Sequence, residues 1–245
     1  MNTRFLQFFS FFTALIICLT SAQAQDTIPR LSSGKPDLNG IWGRPYVSDM
    51  GAAGNGRNQI GPGQLPFTAV GRADFENYNP SEGDYTGSCL PFGLLRAMNS
   101  PDPIQFMQTD THFAYLYEQN TWFKVINLDG ESHSTGILTW FGHSIANWDG
   151  DTLVITTNEF NGRTRLDTLG HGHSDQMTVT ERLTRRDATT MDYVVTIDDP
   201  VYYTEPWSNT RVFTLQTDWE LIEYSCNENN KSLWEGRIKV PTYDD

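Results

Sequence analysis

Positive charge is scarce in this chain. Seventeen lysines and arginines stand against thirty aspartates and glutamates, a formal net charge of −13 over 245 residues. No basic stripe interrupts that balance, so nucleic acid and anionic membranes are poor partners for the surface. Long apolar runs are scarce as well. The single example covers residues 5–19, between Arg4 and "SAQAQ". It is too short and too poorly flanked for a bilayer span. It reads as a secretory signal peptide, residues 1–24, with an Ala-x-Ala cleavage pattern ending at Ala24. Signatures of common chemistry are missing: there is no Gly-x-Ser-x-Gly elbow, phosphate loop or dinucleotide fingerprint. "DGD" at 149–151 and "DDP" at 198–200 lack the other ligands of a calcium loop and read as turns.

Cysteine is nearly absent. There are three, and removal of the signal takes Cys18 away. Cys89 and Cys226 are left in an oxidising, periplasmic or secreted setting, where a disulfide is expected. In the chain-entropy model a loop that long contributes at most about 4–5 kcal/mol. Two separate buried thiols are the alternative.

Helical periodicity is the last shortage. Only "PFTAVGRADFENYNP" suggests a helix, with Thr68 as N-cap and Pro80 beyond its end. Before it, residues 43–66 carry six glycines and no apolar period, as a long loop would. What the chain has instead is short β-type runs joined by turn signals. "IQFMQT", "HFAYLYE" and "TWFKVINL" follow one another from residue 103, the last closed by "DG" at 129–130. "TWFGHSIANW" meets "DTLVITTNEF" through "DGD", "QMTVTERLTR" meets "TMDYVVTI" through "RDAT", and "TRVFTLQ" meets "WELIEYS" through "TD". With "NGIW" at 39–42 this makes nine or ten strands and no helical crossover. The expected fold is all-β: an antiparallel, lipocalin-like (calycin-like) β-barrel, which removes exposed edges, with a β-sandwich as the alternative. Residues 25–245 are expected to be one domain: a loop-rich part at 25–102, the hairpin barrel at 103–230 and a tail at 231–245.

Strand parity sorts the candidate site residues, because residues two apart share a face. In "QMTVTERLT", Glu181 falls on the face of Met177, Val179 and Leu183. A buried charge is costly unless paired. Glu181 is therefore an ion-pair partner of Arg96, Arg165 or Arg211, a functional carboxylate in a cavity, or turned outward by a bulge. In "TWFGHSIANW", His143 shares a face with Phe141 and Ile145. It is either a hydrogen-bonded core residue or, facing Glu181 inside the barrel, half of a proton-transfer pair. "GHGHSDQ" at 170–176 places His171 and His173 two apart. They suit a pocket rim with acid/base or hydrogen-bonding roles, ordinary loop structure, or a Zn or Cu site completed by His143 or Asp175. The chain is rich in aromatics, with seven Trp, ten Tyr and fourteen Phe, some of which could line a pocket for an apolar or aromatic molecule.

Several segments stand in an order that is familiar: "PDLNGIW", "CLPFGLLRAMNSP", "GHSIANWDGDTLVITT", "GHGHSDQMTVTERLTRRD", "TIDDPVYYTEPW" and "DWELIEYSCNENN". Together they cover nearly all of the chain after the signal. They resemble a family of exported bacterial proteins, common in proteobacteria and acidobacteria, to which no reaction is attached. Such relatives tend to read Gly-His-Pro-His-Ser where this chain has Gly172 in place of the proline, which is expected to loosen the loop. The resemblance implies export and supplies no catalytic residue.

The working expectation is a periplasmic protein with an internal pocket for a small, largely apolar or aromatic molecule. As an enzyme it would be a cofactor-independent lyase, hydratase or isomerase, with His143, Glu181 and His173 as catalytic residues. Arg96, Asn99, His171, Asp167 and Tyr115 would bind the substrate. The alternatives are a non-catalytic carrier and a Zn or Cu protein using His171, His173 and His143.

Overall fold

A computed structural model describes residues 28–54, 59–80, 84–131 and 134–238. The expected signal peptide lies outside the described residues. Ten strands form one sheet: β1 (Gly40–Gly43), β2 (Gln59–Ile60), β3 (Ile104–Gln108), β4 (His112–Tyr117), β5 (Phe123–Asn127), β6 (His143–Asp149), β7 (Thr152–Asn158), β8 (Thr178–Arg185), β9 (Thr190–Asp198) and β10 (Trp207–Gln216). Strands β3 to β10 follow chain order, and β1 pairs with both β3 and β10. The sheet is thereby a closed nine-stranded barrel. The two-residue β2 adds to the same edge of β10 at Thr210 and Arg211. Alternation sets the wall: in β8, Val179, Glu181, Leu183 and Arg185 are buried while their neighbours are half-exposed. Trp42, Phe106, Phe113, Leu153, Met191 and Phe213 belong to the core that fills the barrel.

The barrel departs from an all-antiparallel meander at one seam. β5 and β6 run parallel and meet at a single register pair, Asn127 with Ile145. The chain bends at Leu128 and Asp129, but the next strand, β6, runs parallel to β5 and does not complete a hairpin with it. Lys124 stitches this seam from the inside: its Nζ donates to the carbonyls of Phe141 (2.5 Å) and Gly142 (3.1 Å). Gly142 is required there. Its φ is +67°, and a Cβ would meet the Asn158 carbonyl at 2.5 Å.

Two further sequence expectations are corrected. "WELIEYS" is not a strand: residues 219–225 are irregular and mostly exposed. The edge of β10 that this segment would need is occupied by β1 and β2, so the barrel runs from β1 to residue 216 and not over 103–230. Helix α1 (Ala69–Asn77) is as expected, with the Thr68 hydroxyl accepting from Gly71 N. Two more short helices accompany it, α2 (Leu94–Met98) and α3 (Lys231–Trp234). Each is too short to show a period in sequence.

All of α2 is buried. It closes one end of the barrel and is held by two arginines from the wall. Arg44 donates to the carbonyls of Ala97 (3.0 Å) and Asp102 (2.6 Å), and Arg211 donates to that of Met98 (3.2 Å). Positive groups at the carboxyl end of a helix satisfy its unpaired carbonyls and complement its dipole.

Cys89 and Cys226 form the expected disulfide, with Cα atoms 5.5 Å apart and a sequence separation of 137. It fastens the segment after β10 to the N-terminal loop region. Replacing both cysteines by serine is expected to lower the unfolding free energy by about 2–5 kcal/mol, seen as a lower denaturant midpoint. An unchanged midpoint would mean that the tail contributes nothing to the stability of the barrel.

Candidate functional site

Glu181 is fully buried and points into the barrel, as parity predicts. Its Oε1 accepts hydrogen bonds from the hydroxyls of Tyr193 (2.9 Å) and Tyr115 (3.1 Å). Its Oε2 has no partner among the described residues. Burial raises the pKa of this carboxyl, against the opposing pull of Tyr193, Lys124, Tyr115 and Arg211. The same burial lowers Lys124 to about 7, with Glu181 pulling it back up. No arginine makes a contact ion pair with Glu181 among the described residues. Arg96 pairs with Asp84 and Arg165 with Asp74, and Arg211 acts on Glu181 only through its field. Tyr115 thus belongs to a tyrosine cage around a core carboxylate.

His143 does not meet Glu181. In β6 the buried residues are Ser144 and Ala146, and His143 and Ile145 face the other way. The inward row across the wall runs Ala146, Ile155, Glu181, Val195. Positive φ at Gly142 interrupts the strand, so parity cannot be carried from Phe141 into β6. A small polar pair, Ser144 and Thr157, hydrogen-bonded at 2.5 Å, takes the inner face where sequence suggested larger side chains. The His143 and Glu181 proton-transfer pair is therefore dropped.

In "GHGHSDQ" residues 170–173 are buried and fastened, while Asp175 and Gln176 are exposed, and neither histidine lines the cavity described below. His173 Nδ1 donates to the Ser174 carbonyl (2.9 Å) and its Nε2 faces the Thr164 hydroxyl at 2.6 Å. Burial lowers its pKa. Both ring nitrogens of this neutral imidazole are engaged, which leaves none for a substrate. His171 stacks on Phe75 with ring centroids 4.6 Å apart, and its Nδ1 lies 2.6 Å from Asp167 Oδ2. Asp167 is fully buried and also accepts from the backbone N–H groups of Met50 (2.8 Å), Gly170 (3.1 Å) and His171 (3.3 Å). Its oxygens are engaged in building the loop. His171, His173 and His143 do not converge. Among the described residues, the His and carboxylate atoms that do cluster belong to Asp49, Asp167 and His171. Gly172 does not loosen this loop either. A Cβ there would meet Asp74 Oδ2 at 2.4 Å, so glycine lets the Asp74 and Arg165 pair press against it.

Two predicted residues do share a cavity. Outside α2, at the closed end of the barrel, lies a space of about 250 Å³ lined by Tyr46, Phe92, Arg96, Asn99, Asp102 and Gln119, among others. Asn99 is 1% exposed. Its Nδ2 donates to the Leu166 carbonyl at 2.6 Å, which fixes the amide orientation, and its Oδ1 has no partner among the described residues. Gln119 Oε1 is buried and unpartnered in the same way. An unsatisfied buried acceptor is costly in a folded protein and calls for an explanation. Gln119 opens a turn in which Asn120 (φ 54°) and the β-branched Thr121 (φ 51°) both take the left-handed region. Cys226 N donates to Asn120 Oδ1 at 2.6 Å and braces that turn. Sequence reasoning found Arg96 and Asn99 but missed Gln119, Asp102, Phe92 and the inward Lys124. Only the alternation of "FKVIN" could have flagged Lys124. The chain matches no family model and no curated protein.

The interior charges predict a pH dependence. The folded pKa of Lys124 lies near 7, below its ordinary 10.5, so between those values the unfolded chain holds the extra proton. Stability from this group therefore rises as pH rises above 7. In denaturant titrations, the advantage of the native protein over Lys124→Met is expected to grow from pH 7 to pH 9. A constant difference would contradict the burial of a titrating amine.

Proposed function

We propose that this is an exported small-molecule binding protein whose ligand occupies the cavity outside α2. The observation that carries this reading is a cavity of about 250 Å³ whose lining residues include Asn99 and Gln119, each with a buried side-chain oxygen that has no partner among the described residues. A ligand hydrogen bond to either would remove the cost of that unmatched acceptor. The cavity is at the small end of ligand sites, and its lining mixes Tyr46 and Phe92 with a larger set of polar groups. That favours a compact amphipathic ligand over a wholly apolar one. Binding is favoured over catalysis because the acid/base candidates are engaged elsewhere: His173 in its loop, Glu181 in its tyrosine cage, His143 on the opposite face from Glu181. Export rests on the signal-like residues 1–24, on the resemblance to exported bacterial proteins and on the disulfide. No helix among the described residues is long and apolar enough to cross a membrane.

Two measurements test this reading. Protein produced with its native N-terminus in a bacterial host should appear in the periplasm or medium with Gln25 as its first residue. Cytoplasmic retention of the full-length chain would remove the export half. Native mass spectrometry of that material should find a co-purifying small molecule that is lost in Gln119→Leu. A molecule retained equally by that variant would belong to another site.

A further inference from the structure

We infer that the outer face of strands β3, β4 and β5, with the groove beside it, docks a partner protein through a basic, apolar segment. This surface shares no lining residue with the cavity outside α2, and the inference does not rest on the binding reading above.

Register lays two uncharged rows across these strands. Met107, Ala114 and Val125 stand opposite one another, and so do Gln105, Leu116 and Phe123. All six point out of the barrel, and Met107, Phe123 and Val125 are each more than half exposed. The outward row of β8 is instead Thr178, Thr180, Arg182 and Thr184, the polar face of a wall that meets water. Single exposed apolar side chains are ordinary, but contiguous rows of them mark an interaction surface. Phe123 also lines a groove of about 360 Å³, whose other wall is Leu221, Ile222 and Glu223 from the segment after β10. Ile222 is 66% exposed, so the apolar surface continues across the groove.

Charge decides what fits this surface. The groove lining contains Glu118 and Glu223 and no lysine or arginine. Glu118 Oε2 accepts from Ile222 N at 3.1 Å, which joins the two walls, and Glu223 is exposed. No base lies near either wall in sequence: residues 104–123 and 212–230 hold no lysine or arginine, and Asp218 and Glu220 come just before Leu221. A second copy of the chain would bring the same carboxylates and another −13 to the contact, and an anionic lipid surface would be repelled likewise. A segment that alternates lysine or arginine with leucine or phenylalanine matches both features. Its apolar side chains cover the two rows, and its cations reach the carboxylates of the groove.

An alternating lysine–leucine hexapeptide and its glutamate–leucine counterpart form a matched pair for the test. Fluorescence polarisation of the labelled peptides with the full chain after signal removal, in near-physiological salt to screen distant charge, is expected to show saturable binding of the first and none of the second. Phe123→Ser and Glu223→Lys should each weaken that binding by at least about fivefold, through lost apolar contact and reversed charge. Both side chains are exposed, so melting curves should stay close to the native one. Glu205→Lys, the same charge change at an exposed position between β9 and β10, should leave binding unchanged. Equal weakening by Glu205→Lys and Glu223→Lys would mean that the peptide follows net charge alone, and overturns the inference. Equal binding of the glutamate peptide overturns it too, as does no binding of the lysine peptide. Sedimentation as a dimer that Phe123→Ser returns to monomer would give the face to a second copy, and flotation with phosphatidylcholine vesicles that this variant abolishes would give it to a lipid surface. Either result overturns the protein partner.

Discussion

Every backbone N–H and C=O at the edge of a sheet needs a partner, and in this chain the last of them find one when β1 bridges β3 and β10. Much of the architecture follows from that closure. With β10 paired along its second edge by β1 and β2, the chain after Gln216 cannot add a strand. It leaves the sheet and is fastened by the Cys89–Cys226 bond. Because β1 comes from residues far before β3, the segment between them has to cross the barrel's end. It leaves β1 through Arg44, passes through α1 and α2, and returns at Ile104. That segment supplies α2 and most of the cavity lining, to which Gln119 and Thr168 are added from later in the chain.

Closure leaves one weak place, the parallel β5–β6 seam, and the side chain that spans it also ties the seam to the interior. Lys124 holds the carbonyls of Phe141 and Gly142, and its charge is felt by Glu181. Arg211 and Arg44 add permanent positive charge at the α2 end, and burial lowers the pKa of both. A barrel filled by hydrocarbon alone would have no means of holding a plug by its carbonyls. The arginines do so, and Glu181 balances them from within a cage of tyrosine hydroxyls. Removing one buried charge would leave the others uncompensated, which is why such groups behave as a set.

The strands that read clearly in sequence were those joined in pairs by a tight turn. β6 to β7 and β8 to β9 have the predicted turns, and the inward position of Glu181 follows from unbroken alternation through β8. The failures have two causes: a long-range pairing that the sequence does not show, and local breaks or partners that it does not mark. "WELIEYS" has the composition of a strand, and only the pairing of β1 with β10 excludes it. His143 was assigned inward because its neighbours are apolar, but the break at Gly142 resets parity and the interior accepts Ser144 instead. The histidines of "GHGHSDQ" looked chemically open because their partners, Thr164 and Asp167, come from the preceding turn of the same loop. Arg96 and Asn99 were recognised as candidates, but their different situations could not be read. Arg96 is neutralised by Asp84, while Asn99 keeps an open oxygen only because Leu166 fixes its other end.

The cavity wall is also braced by the disulfide. Gln119 is presented by a turn whose next two residues take left-handed backbone, a conformation costly for Asn120 and more so for the β-branched Thr121. That turn persists because Asn120 Oδ1 accepts from Cys226 N, and Cys226 is held in place by its bond to Cys89. Thr86, three residues before Cys89, lines the same cavity. The disulfide therefore fixes two walls at once, one through Thr86 and one through Asn120. Ile222 N donating to Glu118 Oε2 (3.1 Å) and Asn230 Nδ2 donating to the Gly87 carbonyl (3.3 Å) tie the same segment to the same two places.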